Sequence, residues 1–400
     1  MNVIRLLRSR VGLGLALAAD LLIAAGPAGP YEYSAASFEA ALALQEQVSG
    51  DWLALDGVVG TAIGVDGRGH AVLKVYLVAP GVAVLPRFVA GVEVVPEVTG
   101  PFVSLGELRD VGGGVAPPGG ADELRRAMAP SRAAAPRDPA PRAAEAIPRA
   151  AEADPRAARR GAEAVPRGAE AVDPTRSFPR PVPIGVSTGH PNVTAGTIGA
   201  RVTDGARTFA LSNNHIFAAN NGGRQGDNLL QPGAVDGGRD PDDAIATLFD
   251  FEPLRFCRAL VCETNHIDAA VALTTPEDLG NATPDGGYGA PRSWSEEAKL
   301  GMSVQKYGRT TGHTVGRISG INATIDVRYR DGTARFGDQI VISGGGFSAG
   351  GDSGSLIVTK GALLGDRRPV GLLFAGSPST TLANPIELVL DRFGVRIDGS

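Results

Sequence analysis

One serine of this chain has neighbours that would suit a nucleophile. Ser353 lies in the run Gly350-Gly351-Asp352-Ser353-Gly354, directly before the apolar residues Leu356 to Val358. The glycines let the backbone turn so that its N–H groups converge on one point, the geometry that holds an oxyanion beside an attacking hydroxyl. A serine hydroxyl is too weakly acidic to attack unaided. The interpretation therefore requires a histidine base and a carboxylate that orients the histidine.

His215 is the best candidate for the base among the five histidines of the chain. It lies in the segment Phe209 to Phe217, where an apolar strand runs into a polar turn, a placement that suits the rim of a cleft. The other four lie in glycine-bearing turns, beside a better-placed acid, or in a Gly/Thr hairpin: His70, His190, His266 and His313.

Asp268 is the preferred candidate for the orienting acid. It opens the run Asp268 to Leu273, so that a carboxylate leads straight into an apolar strand that would fix its position. Such a carboxylate can accept the Nδ1–H of the histidine, set its tautomer and stabilise the imidazolium that forms. Asp243 is the rival, but its neighbours Arg239 to Asp242 are typical of a solvated turn.

The three segments follow one another in the order His, Asp, Ser, and they resemble the trypsin-like (chymotrypsin-fold) serine peptidases of bacterial type. The nucleophile motif of that family is G-D-S-G, and its acid usually begins a D-[ILA]-A-[LV] strand. The stretch Ser212 to Ile216 is similar to the T-N-x-H-V form of bacterial members, and Gly308 to Gly316 is similar to a hairpin of their second barrel. The resemblance covers roughly residues 180 to 400.

The resemblance implies a role for each residue of the site. Ser353 attacks a carbonyl, His215 takes and returns the proton, and Asp268 orients the histidine. The N–H groups of Gly351 and Ser353 form the oxyanion hole. This chemistry needs no cofactor and no metal ion, and the substrate is expected to be a protein or peptide.

The resemblance also indicates a substrate pocket. Its floor falls on Phe347, six residues before the serine, and its wall on the strand that contains Phe374 and Gly376. No acid stands at the floor position, which argues against cleavage after Lys or Arg and favours small or apolar residues. Phe374 occupies the wall position that often offers a hydroxyl to the triad acid, so either the alignment shifts there or the acid has another partner.

The elements that must position these side chains are mostly strands. Residues 180–400 consist of short apolar runs separated by Gly, Asn and Asp, which predicts a mostly β protease domain of two six-stranded antiparallel β-barrels with the cleft between them. Residues 31–110 predict a small α+β domain, with a helix over 37–55 and strands over 58–65, 71–79 and 92–99. The role of this domain stays open between a plain accessory domain, docking, folding assistance and pro-region inhibition.

Two further segments precede the protease domain. Residues 111–179 are rich in Ala, Pro, Arg and Glu and repeat a seven-residue unit that starts with proline. The prolines disfavour a heptad coiled coil and predict a linker that is disordered or partly helical. Residues 1–30 have the outline of a secretory leader, with arginines before an apolar run, but Asp20 interrupts that run and leaves an apolar N-terminal helix as the alternative.

Charge and cysteine content exclude other classes of function. The formal net charge is −5 and no basic stripe is interleaved with aromatics, so nucleic acid is not an expected partner. No stretch predicts a stable membrane span. Cys257 and Cys262 lack a second pair of ligands for zinc, and either a short-loop disulfide or two free thiols would fit. A secreted or extracytoplasmic location is favoured over a cytoplasmic one, and the oligomeric state is not indicated.

The expected function is that of a serine endopeptidase that works through an acyl-enzyme on Ser353. The alternative is a catalytically weak trypsin-fold module that binds proteins, motivated by the altered wall position at Phe374 and the polar pair before His215. Hydrolysis of a non-peptide ester by the same triad is a third hypothesis. Activation by proteolysis has little support, because the segment after Arg180 offers no apolar new terminus to insert beside Asp352.

Overall fold

The computed structural model of this chain describes residues 31, 33–106, 172–258, 261–361 and 366–400. The predicted leader or helix at 1–30 and residues 111–171 of the predicted linker lie outside the described residues. Within the described ranges the chain is mostly β, as the sequence predicted. No helix in this part of the chain has the length and apolar character needed to cross a lipid bilayer.

The amino-terminal region begins with helix α1, Ala35–Trp52, which is capped by Ser34. The Ser34 side chain accepts a hydrogen bond of 3.1 Å from the Ser37 N–H and so satisfies one of the free donors of the first turn. Strands β1 to β5 follow at Val58–Val65, Ala71–Leu77, Phe88–Val89, Val92–Val98 and Phe102–Ser104. Helix α1 covers one face of β1 and β2 through the buried residues Ala41, Leu44, Ile63 and Leu73. The helix and strands predicted for 31–110 are thus present.

A first sheet of six strands carries the segments around His215 and Asp268. Strands β6 to β9 are Ser187–Thr188, Gly196–Thr197, Ala200–Thr203 and Thr208–Ser212. The one-turn helix α2, Asn214–Phe217, follows β9. Strands β10 to β13 are Asn228–Leu230, Ala244–Phe251, Thr264–Asn265 and Ala270–Thr274. The last strand of the chain, β20, is Arg396–Ile397 and pairs with β8, so the order of the sheet is β10-β11-β13-β9-β8-β20.

A second sheet carries the segment around Ser353. Its strands β14 to β19 are Ser303–Gly308, Gly312–Tyr329, Gly332–Ser343, Leu356–Thr359, Pro369–Gly376 and Thr380–Pro385, followed by helix α3, Ile386–Phe393. These strands pair in the order β16-β19-β18-β17-β14-β15, and a further pairing of β15 with β16 closes that order on itself. Strands β1, β2, β4 and β3 continue the same sheet beyond β15, so the amino-terminal strands are hydrogen-bonded to the part of the chain that carries Ser353.

Strand β15 links the amino-terminal region to the candidate site. Its sequence contains two strand-like runs, 315–321 and 323–329, which predict two strands, whereas the structure has one strand of 18 residues. The reason is that Asn322, with a φ of 52°, forms an irregularity within the strand rather than a turn. The first half of β15 pairs with β14, and the second half pairs with β1 and ends at Tyr329.

Candidate active site

His215 and Asp268 are brought together by two neighbouring strands. Strand β9 pairs with β13 so that Ser212 lies opposite Ala270. The chain leaves β9 and enters the one-turn helix α2, which places His215 over the residues that precede β13. The His215 Nδ1 lies 2.6 Å from Asp268 Oδ2, and the His215 backbone N–H donates a bond of 3.2 Å to Asp268 Oδ1. Both side chains are buried.

The contacts of His215 leave one ring nitrogen free to act as a base. With Asp268 accepting at Nδ1, the neutral ring carries its proton there and presents a lone pair at Nε2. The Nε2 atom is buried and has no hydrogen-bond partner. An unpartnered buried acceptor next to a fixed donor is the arrangement that a proton-accepting imidazole requires.

Asp268 is held from three further sides. The Tyr329 hydroxyl donates a hydrogen bond of 2.9 Å to Asp268 Oδ2. The Asp268 backbone N–H donates to Asn384 Oδ1 at 3.0 Å, and its carbonyl accepts from Asn213 Nδ2 at 2.7 Å. Burial, and then the charge of Asp268, raise the pKa of Tyr329 well above its usual value of 10, so the phenol stays protonated and able to donate.

Tyr329 supplies to Asp268 the hydroxyl that the sequence does not offer at the wall position, where Phe374 stands. The Phe374 side chain lies instead in a buried cluster, where its ring packs against Phe336 with 4.7 Å between the ring centroids. Only the Phe374 backbone carbonyl reaches the site. Tyr329 therefore answers the question of which group partners the acid.

The turn before β17 holds Ser353 in a fixed backbone. Gly351 and Gly354 have φ values of 96° and 91°, which residues with a Cβ rarely adopt. A Cβ at Gly351 would lie 2.5 Å from Thr310 Oγ1. Ser353 is fully buried, and its hydroxyl donates a bond of 3.2 Å to the Phe374 carbonyl oxygen. In this structure the hydroxyl is thus directed to Phe374 and not to His215 Nε2.

Asp352, beside the serine, is paired within the same chain. Its carboxylate accepts hydrogen bonds from the N–H groups of Thr310 and Ala349, both at 2.9 Å, and from the Thr311 hydroxyl at 2.7 Å. The Lys306 ammonium lies 3.5 Å from Asp352 Oδ2, and both side chains are fully buried. Burial lowers the pKa of Lys306, while the charge of Asp352 opposes that shift. The Asp352 carboxylate therefore has a cationic partner in Lys306 and does not need the amino group of a new chain terminus released by proteolysis.

The predicted oxyanion-hole donor Gly351 already contacts a peptide carbonyl. Its N–H donates a hydrogen bond of 2.6 Å to the carbonyl oxygen of Leu105, which follows β5. The predicted pocket residues lie on the same side. Phe347 belongs to the buried cluster that includes Leu105, and a Cβ on Gly376 would lie 3.5 Å from Leu105 Cδ1. Nothing in the sequence pointed to Leu105, because the segment 102–106 carries no recognisable motif.

The remaining candidates lie away from this cluster. His190 contacts Asp227, His266 contacts Asp338, His313 contacts Gln305 and His70 contacts Asp66. Asp243, the rival acid, accepts a bond of 2.8 Å from the Arg239 N–H within its own turn. Cys257 and Cys262 are joined by a disulfide in the loop before β12.

Comparisons with known protein families and solved structures each match a part of the chain. A family model described as the Nal1 C-terminal domain matches residues 295–384. No curated protein matches the chain. Protease A of Thermobifida fusca matches in structure with 23% identity and a TM-score of 0.39, over 55% of this chain and 100% of that one.

Two further solved structures match a similar share of the chain. The chymotrypsin of Cellulomonas bogoriensis has 20% identity and a TM-score of 0.37, over 55% of this chain and 99% of its own. The Nocardiopsis protease has 20% identity and a TM-score of 0.37, over 54% and 99%. All three solved structures are matched over nearly their whole length, at identities of 20–23% and TM-scores of 0.37–0.39.

Proposed function

We propose that this chain is a serine endopeptidase that hydrolyses protein or peptide substrates through an acyl-enzyme on Ser353. His215 acts as the base, Asp268 holds and stabilises it, and the N–H groups of Gly351 and Ser353 form the oxyanion hole. The observation that carries this proposal is the state of His215. Its Nδ1 lies 2.6 Å from a buried carboxylate, and its Nε2 is buried without a partner.

The electrostatics of the pair support proton transfer. A carboxylate at Nδ1 sets the tautomer and stabilises the imidazolium that forms when Nε2 takes the serine proton. Because Asp268 is fully buried, its attraction for that imidazolium is screened less than it would be in water. The bond from the Gly351 N–H to a peptide carbonyl supports the second part of the mechanism, since the same donor would hold a developing oxyanion.

One movement is needed before the reaction. The Ser353 hydroxyl donates to the Phe374 carbonyl and must leave that acceptor before it can donate to His215 Nε2. Staggered side-chain positions are separated by low barriers, and catalytic hydrogen bonds often form only once substrate is bound. The proposal therefore includes a serine rotamer that changes on substrate binding.

The finer architecture belongs to the same proposal. The protease domain would span 180–400 as two six-stranded antiparallel barrels, with His215 and Asp268 on the first and Ser353 on the second. Support comes from the six-stranded sheet that carries β9 and β13, and from the closed order of six strands that flanks Ser353. The linker at 111–179 would join this domain to the α+β domain at 31–110.

A specific observation favours one other candidate function. The Ser353 hydroxyl is bound to Phe374 and makes no hydrogen bond to His215 Nε2. A trypsin-fold module that binds proteins and turns over weakly would tolerate that arrangement. The two hypotheses differ in whether Ser353 can be acylated.

The test is covalent labelling of the full chain with a fluorophosphonate probe, followed over hours. We expect the wild type to be labelled, Ser353→Ala to stay unlabelled, and Ser379→Ala, which alters an exposed serine in the β18–β19 turn, to match the wild type. Digestion of casein then separates a peptidase from an esterase: for a peptidase, the wild type and Ser379→Ala digest casein and Ser353→Ala does not. A wild type that takes up no label and does not digest casein contradicts the proposal, and the protein-binding module is then the remaining candidate function.

A further inference from the structure

The segment Phe102 to Gly106 of the amino-terminal region lies beside the turn that carries Ser353. Strand β5 runs antiparallel to β18, with Ser104 opposite Ala375 and Val103 opposite Gly376. It also runs parallel to the end of β15. The Phe102 side chain is fully buried and packs edge-on against Tyr76, with 5.7 Å between the ring centroids. The segment is thus an ordered strand in the sheet that carries the nucleophile.

The main chain of Leu105 is bound on both sides by the candidate site. Its carbonyl oxygen accepts the bond of 2.6 Å from the Gly351 N–H, and its own N–H donates to the Phe374 carbonyl at 3.4 Å. Phe374 O is also the acceptor for the Ser353 hydroxyl. The carbonyl group of Leu105 therefore lies between the proposed oxyanion donor and the strand next to Ser353, where the carbonyl of a peptide about to be attacked by the serine has to lie.

The Leu105 side chain enters the predicted substrate pocket. It is only 9% exposed and shares a buried cluster with Phe347, Val304 and Ile342. Gly376 forms a wall there, since a Cβ on that residue would come within 3.5 Å of Leu105 Cδ1. The pocket around this side chain is apolar, and Phe347, not an acid, stands at the predicted floor.

The next residue, Gly106, lies against the base. A Cβ built on Gly106 would be 3.0 Å from His215 Nε2, 2.7 Å from His215 Cδ2 and 2.5 Å from Ile216 Cδ1. The Nε2 atom has no hydrogen-bond partner. The amide that joins Leu105 to Gly106 thus has its carbonyl at the oxyanion donor and its amine side next to the group that would protonate a leaving amine.

We infer that the bond between Leu105 and Gly106 is one that the chain cleaves in itself, and that the same pocket selects leucine or a similar apolar side chain in other substrates. This inference rests on the proposed function, because it requires Ser353 to act as a nucleophile. It gives the amino-terminal region a role as the first, intramolecular substrate.

The reaction balances with the groups present and one water molecule. Ser353 Oγ forms an ester with the Leu105 carbonyl carbon while His215 Nε2 takes the hydroxyl proton. The C–N bond to Gly106 breaks, and His215 returns that proton to the Gly106 nitrogen. Water then adds to the ester, which leaves a Leu105 carboxylate and restores the Ser353 hydroxyl.

The first experiment follows the purified full chain by intact mass and amino-terminal sequencing. We expect the wild type to yield a fragment that begins at Gly106, at a rate independent of protein concentration, and Ser353→Ala to stay whole at that bond. Leu105→Asp should slow the cut at least about tenfold, because a carboxylate would be buried in an apolar pocket. Leu105→Met should still be cut. Val84→Asp places the same charge on a side chain that is 99% exposed and should be cut like the wild type.

The second experiment measures kcat/KM on tetrapeptide p-nitroanilides that copy Phe102 to Leu105 and end in Leu, Arg or Asp. We expect the Leu substrate to exceed the other two at least about tenfold. A wild type that is labelled at Ser353 and digests casein, but shows no cut at Gly106 or prefers the Arg substrate, overturns this inference and leaves the proposed function standing. Failure of both labelling and casein digestion overturns both.

Discussion

Tyr329 and His215 contact the same oxygen of Asp268. The Tyr329 hydroxyl donates to Oδ2 at 2.9 Å, and His215 Nδ1 lies 2.6 Å from that atom. The two rings also meet edge to face, with 5.9 Å between their centroids. Tyr329 is the last residue of β15, the strand that pairs with the amino-terminal region, so a distant part of the fold helps to set the position of the acid.

Removal of the Tyr329 hydroxyl should impair turnover without abolishing it. Tyr329→Phe keeps the ring but takes one donor from a buried carboxylate, and we expect kcat to fall about tenfold with little change in KM. Tyr288→Phe, at another buried tyrosine, is the control and should behave as the wild type. A kcat equal to that of the wild type would mean that Tyr329 only fills space.

Substitution of Gly351 should disable the oxyanion hole. Gly351→Ala adds a Cβ at 2.5 Å from Thr310 Oγ1 on a residue whose φ is 96°, so the backbone N–H must turn away. The loss of one such donor lowers kcat by a factor of about 10²–10³. Gly345→Ala is the matched control, since a Cβ there meets nothing within 4 Å. Equal kcat values for the two variants would argue against Gly351 as a donor.

The buried pair of Lys306 and Asp352 should be essential for stability. Lys306→Met leaves the Asp352 carboxylate buried without a cation, which costs about 3–5 kcal/mol in the free energy of unfolding. Lys299→Met changes a half-exposed lysine and should cost less than about 0.5 kcal/mol. Urea denaturation measures both.

A double variant tests whether the charge is the cause. Lys306→Met with Asp352→Asn removes both charges and should recover part of the stability that Lys306→Met loses. If the double variant is less stable than Lys306→Met by the full cost of Asp352→Asn alone, the two side chains are not coupled.

The contact between His266 and Asp338 should make stability depend weakly on pH. A hydrogen bond of 2.8 Å to Asp338 raises the pKa of His266 above its usual value of 6.5, against a smaller effect of burial. A raised pKa in the folded state means that the stabilisation is fully present below about pH 6.5 and is lost as the pH rises through the folded-state pKa.

The size of this effect is limited by solvent. Both side chains are at least half exposed, so screening keeps the contribution within about 1 kcal/mol. Urea denaturation of the wild type and of His266→Gln should show a larger difference at about pH 5.5 than at about pH 8. A larger difference at the alkaline pH would contradict the assigned direction.

Much of the candidate site could be predicted from local sequence motifs. The glycines around Ser353, the polar turn that ends at His215 and the apolar strand after Asp268 are each contained within about ten neighbouring residues. The structure brings His215 and Asp268 into contact, while the catalytic roles of all three residues stay predictions. The proximity of the two could be inferred because the order of the segments resembled a known arrangement.

Contacts between distant segments were not visible in the sequence. Tyr329 reaches Asp268 only because β15 continues through the irregularity at Asn322, where the sequence pattern indicated a break between two strands. Lys306 reaches Asp352 because β14 and the turn that carries Ser353 pack together. Leu105 was missed for a similar reason, since it follows a three-residue strand with no motif, and that strand gains its position from its pairing with β15 and β18.

The ladder between β1 and β15 has a consequence for any chain that has been cut after Leu105. Severing one covalent bond would leave the main-chain hydrogen bonds of that ladder and the Gln45–Asn322 amide contacts intact. The two pieces would stay together as a nicked complex, with the new carboxylate still seated at the nucleophile. The onset of turnover on other proteins would then be timed by dissociation of the amino-terminal piece and not by the cut itself.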